Sequence, residues 1–149
     1  MLIVEPGDPR APDANALLLS SHALMQELFP AEDIYALDID DLCAPDIRFF
    51  VARDPNGLLG TGALAVREGY GEVKSMFTAP NARGKGVASA LLRQIEDEAR
   101  TEGLHVLKLE TGEELPAACR LYERNGFTRC GIFGDYAPNT TSVYMEKRL

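Results

Sequence analysis

Basic charge is scarce in this chain, and so are cysteine and histidine. Its 149 residues hold 15 lysines and arginines against 23 aspartates and glutamates, a net charge of -8. A surface of that sign repels polyphosphate chains and anionic lipid, which excludes a general nucleic-acid-binding or membrane-surface role. The three cysteines, Cys43, Cys119 and Cys130, form no Cys-x-x-Cys pair, and two histidines are too few to complete a metal set with them. Reduced thiols and no metal cofactor are therefore expected. No apolar run reaches membrane-spanning length, and the opening MLIVEPGDPR carries acids and prolines where a signal peptide has its apolar stretch. The expectation is a soluble, untargeted, cytoplasmic protein. Internal repeats and low-complexity tracts are absent as well.

What remains is an ordinary globular mixture, 46% hydrophobic and 26% charged. The length suits one domain spanning residues 1–149.

Asp13 is expected to cap a helix in which Leu17, Leu18, Ser21, Met25, Leu28 and Phe29 recur at three-to-four spacing, until Pro30 stops it. The segment EDIYALDIDDL predicts a second, weaker helix. RFFVARD and LLGTGALAVR flank the turn DPNG and predict a β-hairpin. GEVKSMFT, ended by Ala79-Pro80, predicts a strand. After Gly86, the residues Val87, Ala90, Leu91, Ile95 and Ala99 mark the apolar face of a helix that Gly103 closes. LHVLKLE alternates as a strand does. PAACRLYERNGF predicts a short helix with Pro116 in its first turn, and FTRCGIFG and TSVYMEKRL predict two closing strands, the last a possible edge. Strands and helices interleave throughout, the pattern of an α/β or α+β sheet covered by helices.

One further absence is local. From Val73 to Ile95 there is no aspartate or glutamate, while Lys74, Arg83, Lys85 and Arg93 all occur. Here the stretch NARGKGVASALL places glycines and cations between a strand and the first turn of a helix. Unpaired N–H groups of such a turn, approached closely across glycine, bind phosphate oxygens. A Walker loop is excluded, because Gly84-Lys85 is followed by Gly86 and no glycine stands five positions before Gly84. The dinucleotide fingerprint fails too, since Gly84-Lys85-Gly86 runs on into Val87-Ala88-Ser89.

The run Arg83-Gly84-Lys85-Gly86-Val87-Ala88 resembles the signature of the GCN5-related N-acetyltransferases, Gln/Arg-x-x-Gly-x-Gly/Ala at a helix start after a central strand. The preceding VKSMFTAP, the following ALL, the strand HVLKLET and the later ACRLYERNGF stand in the order and spacing of that family. The similarity covers roughly residues 48–149 and looks like that of a bacterial subgroup. It implies a mixed, mostly antiparallel twisted sheet of six to seven strands flanked by about four helices. It also implies acetyl-CoA as co-substrate, bound along Met76, Phe77 and Thr78 and through Arg83, Gly84, Lys85, Gly86, Val87, Ala88 and Ser89.

The resemblance further implies roles at the reacting centre. Tyr122 would meet the coenzyme sulfur, the other reading of it being a core aromatic on an amphipathic helix. Glu72 would draw the proton from an attacking amine, or else be a solvated strand end. A backbone N–H of Met76 or Phe77 would meet the oxyanion. An acyl-serine route through Ser75 lacks a histidine partner, since neither His22 nor His105 stands in a motif with it. Where the family often has an asparagine before the tyrosine helix, this chain has Leu115.

The first 45 residues and the loop GDYAPNTTS are expected to wall the acceptor, with Glu32, Asp33, Tyr35, Asp135 and Tyr136 as candidate contacts. A primary amine of a small molecule or peptide is the expected acceptor, attacking directly in a ternary complex. The competing readings are a non-catalytic acyl-CoA sensor and a scaffold that merely keeps the fold. A homodimer is a further expectation.

Overall fold

Alternating apolar residues in β2 (Ile47–Asp54) and β3 (Gly57–Val66) send Phe49, Val51 and Ala63 to one face of a hairpin and Phe50, Ala52 and Leu64 to the other. Both faces are buried, so helices must cover both. In the computed structural model, which describes residues 1–149, they do. Helix α1 (Pro12–Leu28) and the short α2 (Ile39–Leu42) close one face through Ala14, Leu18 and Leu42. Helix α3 (Val87–Thr101) closes the other through Leu91, Leu92 and Ile95, all fully buried, with Cys119 and Tyr122 of α4 (Pro116–Arg124) beside it. Burying each such side chain stabilises the fold by roughly 1.5–3 kcal/mol. No helix is long and apolar enough to cross a membrane.

Seven strands form one sheet. With β1 (Ile3–Pro6), β4 (Gly71–Thr78), β5 (Val106–Gly112), β6 (Thr128–Arg129) and β7 (Ser142–Arg148), the order is β1-β2-β3-β4-β5-β7-β6. Every neighbouring pair is antiparallel except β4 and β5. A parallel pair needs a crossover, and α3 supplies it.

The structure departs from the sequence expectations at four places. Helix α1 begins at Pro12 with Ala11 in the cap position, because proline's fixed φ and missing N–H suit the first turn. Asp13 lies inside that turn and accepts from the N–H of Ala14 at 2.8 Å. The predicted second helix is only a 3₁₀ turn at Ala31–Asp33 and the four-residue α2. There Asp38 and Asp41 form a reciprocal capping box, the use of aspartate that competes with helix interior. FTRCGIFG yields just two strand residues, and Gly134 (φ 60°) turns the chain beyond them. Finally, β7 is no edge, since it lies between β5 and β6.

Candidate active site

Strand β4 carries an irregularity at its centre. Thr61 pairs with Phe77 and Ala63 with Lys74, so two steps on β3 face three on β4. Ser75 takes up the extra residue at φ 55°, and its carbonyl accepts from the hydroxyl of fully buried Thr61 at 2.8 Å. A bulge of this kind takes residues out of the ladder and re-aims the strand. A non-glycine residue held in the left-handed region costs of order 1–3 kcal/mol and marks a place over-determined by its surroundings.

The neighbouring strands then part. β4 and β5 pair only at Gly71 with Leu107 and Glu72 with Lys108, although both run several residues further. A cavity of about 130 Å³ occupies the wedge, lined by Val73 to Met76 of β4, Glu110 to Gly112 of β5, and Tyr122 of α4. The wall opposite comes from α1 and from the Asp33–Ala36 segment.

An open groove of about 570 Å³ adjoins it, lined by Met76, Phe77 and Thr78, by Arg83, Gly84 and Gly86, and by Val87, Ala88 and Ser89. Gly84 and Gly86 have φ of 78° and 79°, and Gly86 is the N-cap of α3. No acidic residue stands in the first turn of α3 and no side chain caps it, so its N–H groups and the positive end of its dipole face an anion unopposed. Of the residues expected at the donor, Lys85 alone does not line the groove. Arg124 of α4 does, an unforeseen second cation. Asn125 donates from Nδ2 to Ser89 Oγ at 3.3 Å and to the Leu121 carbonyl at 2.9 Å, joining α4 to the start of α3.

Tyr122 belongs to both spaces. Its ring packs edge-on to Phe127, with centroids 5.7 Å apart, and burial pushes its hydroxyl pKa well above the ordinary phenol value. The hydroxyl is therefore held in its neutral form. Leu115, the departure noted in the sequence, also lines both spaces.

Glu72, expected at the amine, is 4% exposed and does not line the cavity. Its carboxylate accepts from the Tyr136 hydroxyl and lies 3.4 Å from Arg67 Nε and 3.6 Å from Lys74 Nζ. Asp33 faces the cavity, and so does Glu110, which sequence reasoning passed over. Desolvation raises its pKa, while the Ser142 hydroxyl, donating at 2.7 Å, and the charge of Lys74 pull it back. The available signal was a lone carboxylate among the strand positions of HVLKLET, on the neighbour of the donor strand.

Among the acceptor-wall candidates, Asp33 and Tyr35 line the cavity. Tyr136 stands behind it on Glu72 and Lys74, and Glu32 and Asp135 are exposed. Ser75 and His22 line it, whereas His105 is exposed just before β5.

Comparisons with known proteins point to one family. The model of the acetyltransferase (GNAT) family matches residues 16–127. The IAA acetyltransferase of Azospirillum brasilense is 48% identical over 125 residues, 83% of this chain and 82% of that protein. Among solved structures, a proposed acyl-CoA N-acyltransferase of Klebsiella pneumoniae superposes with a TM-score of 0.84 at 32% identity, over 100% of this chain and 98% of that one. A proposed streptothricin acetyltransferase of Bacillus anthracis, solved in complex with acetyl coenzyme A, shares the fold at 23% identity, with a TM-score of 0.63 over 71% of this chain and 64% of that one. The groove, the cavity and these likenesses agree that the chain belongs to the GNAT family of acetyltransferases, as an acetyl-CoA-dependent N-acetyltransferase.

Proposed function

We propose that the protein moves the acetyl group of acetyl-CoA directly to a primary amine, with Glu110 as general base and Tyr122 as general acid. The observation that carries this reading is that the donor groove and the acid-lined cavity meet at Met76 and Tyr122.

The N–H groups at Gly84 to Ala88, with Arg83 and Arg124, would hold the pyrophosphate. The pantetheine arm would lie along Met76 to Thr78. Glu110 takes a proton as the amine nitrogen attacks the thioester carbon. The oxyanion accepts from a backbone N–H at the bulge, that of Met76 or Phe77. As the carbon–sulfur bond breaks, the Tyr122 hydroxyl protonates the departing thiolate, leaving the amide and free coenzyme A. General acid and base each contribute about 10²–10⁴-fold in such reactions. Glu72 is a positioning residue in this scheme, since its oxygens are held by Tyr136, Arg67 and Lys74. A non-catalytic sensor would have no use for a half-buried carboxylate in the cavity that adjoins the groove.

The test combines calorimetric titration of acetyl-CoA with thiol release from an amine panel. Glu110→Gln and Tyr122→Phe should bind the donor as the wild type does and lose most turnover. Full turnover in both variants would refute these roles.

A further inference from the structure

The acceptor cavity is small, and its uncommitted charges have one sign. At about 130 Å³ it is close in size to engineered apolar cavities of about 150 Å³ that hold one benzene ring. Leu18, Met25, Phe29, Ile34 and Ala118 give it an apolar body. Glu110 and Asp33 face it, and their hydrogen bonds come from the neutral hydroxyls of Ser142 and Thr141, at 2.7 and 2.9 Å. Neither takes part in any salt bridge.

Lys74 is the one lysine or arginine in the lining, and its ammonium is committed. An ammonium has three protons. This one donates to the Tyr35 carbonyl at 3.0 Å and the Tyr136 hydroxyl at 2.9 Å, and stands 3.6 Å from Glu72. His22, half-buried on α1, is the other basic side chain in the lining. A carboxylate entering with the acceptor would thus face two carboxylates and no free lysine or arginine, and juxtaposed like charges oppose its entry.

The cavity is also bridged. The segment at Asp33–Tyr35 lines it, the loop before β7 stands behind it on Glu72 and Lys74, and the two are joined to each other. Thr141 donates to Asp33, the rings of Tyr35 and Tyr136 meet edge-on with centroids 4.7 Å apart, and Lys74 holds both segments. A polypeptide lying between them would have to break these contacts.

Resting on the acetyl-transfer reading above, we infer that the acceptor is a small free monoamine. Its body is one ring or a short alkyl chain, and it bears no carboxylate beside the amine. Asp33 then acts as a specificity residue, favouring the ammonium form on entry and repelling acids. Free amino acids and peptidyl lysines are poor acceptors.

The experiment compares phenethylamine, butylamine, phenylalanine and a terminally blocked lysine pentapeptide with the wild-type protein and acetyl-CoA, reading thiol release and product mass. Phenethylamine differs from phenylalanine only by the carboxylate. Its kcat/KM should exceed that of phenylalanine by about 100-fold, the order expected of like charges in a half-closed site, and should exceed that of the peptide as well. Asp33→Asn should narrow the phenethylamine-to-phenylalanine ratio by about 10-fold with the KM for acetyl-CoA unchanged. Equal or faster acetylation of phenylalanine or the peptide overturns the inferred class and leaves acetyl transfer to amines standing. A ratio unmoved by Asp33→Asn removes the role of Asp33. If no amine is acetylated although acetyl-CoA binds, both readings fall together.

Discussion

Tyr136 and Glu72 lie sixty-four residues apart in the chain, and the hydroxyl of one donates to the carboxylate of the other. The same hydroxyl accepts from Lys74 at 2.9 Å. A loop near the C terminus is thereby fastened to the central strand, one step from the residues that line the acceptor cavity. The ring also meets Tyr35, Phe133 and Tyr144 edge-on, so polar and aromatic contacts hold it together.

Because that contact positions a wall, its loss should appear in acceptor binding and in stability. Tyr136→Phe should cost about 1–2 kcal/mol in a denaturant titration. Glu72→Gln should cost more, about 3 kcal/mol, since it leaves Lys74 and Arg67 facing a neutral group. Both should raise the KM for the amine with acetyl-CoA affinity unchanged. A comparable loss of donor affinity would show that this network supports the groove instead.

Glu110→Gln should behave in the opposite way. Desolvation, followed by the charges of Glu72 and Asp33, holds the Glu110 pKa above its ordinary value in the folded state. A raised folded pKa means that the stabilising contribution is complete below the unfolded carboxylate value and is lost as pH rises through the folded one. At neutral pH the ionised group therefore opposes folding. Glu110→Gln should keep or raise the Tm at pH 7 while lowering kcat by about 10²-fold.

The same shift sets the acid limb of activity. A base must be ionised, so kcat/KM should fall on acidification through a pH above the ordinary carboxylate range. The Ser142 hydroxyl favours the ionised form. Ser142→Ala should therefore move the limb to higher pH, as a pH–rate profile would show. A limb moving down, or staying still, would dissociate Glu110 from the proton transfer.

Tyr122→Phe should leave the fold intact, because the ring contacts with Phe127 remain. kcat should fall by about 10²-fold. Burial raises the hydroxyl pKa, so wild-type activity should show no alkaline loss from this group within the ordinary phenol range, near pH 10. Retention of full kcat by the variant would assign thiolate protonation to solvent.

At the donor groove, Arg83→Ala should weaken acetyl-CoA binding more than Lys85→Ala, because only Arg83 lines it. Added salt should shrink the difference, as both side chains are exposed. A Cβ at Gly86 meets no neighbouring atom, but Gly86→Val must hold φ near 79°, which costs a side-chain-bearing residue about 1–2 kcal/mol and should disturb the turn and weaken donor binding. Calorimetry at two ionic strengths measures all three.

Local sequence determined most of the elements, because each carries its own signal. The alternation through Phe49 to Ala52 specifies a two-faced strand, and Pro116 marks the first turn of α4. The acid-free run with Gly84 and Gly86 specifies the turn that opens α3, since its consecutive backbone N–H groups are adjacent wherever the chain goes. That α2 is one turn and β6 two residues depends instead on competition between aspartate caps, glycines and distant partners.

The proposed reacting centre rests on tertiary structure. Glu72 and Glu110 are both lone carboxylates on predicted strands, and nothing in their immediate neighbours ranks one above the other. The sheet ranks them. It pairs β4 with β5 at Glu72 and buries that carboxylate under Tyr136, Arg67 and Lys74, then parts the strands so that Glu110 faces the space Tyr122 enters. A side chain's surroundings come from residues far away in the chain, and burial and partners, not residue type, determine whether a carboxylate is fastened in place or free to take a proton.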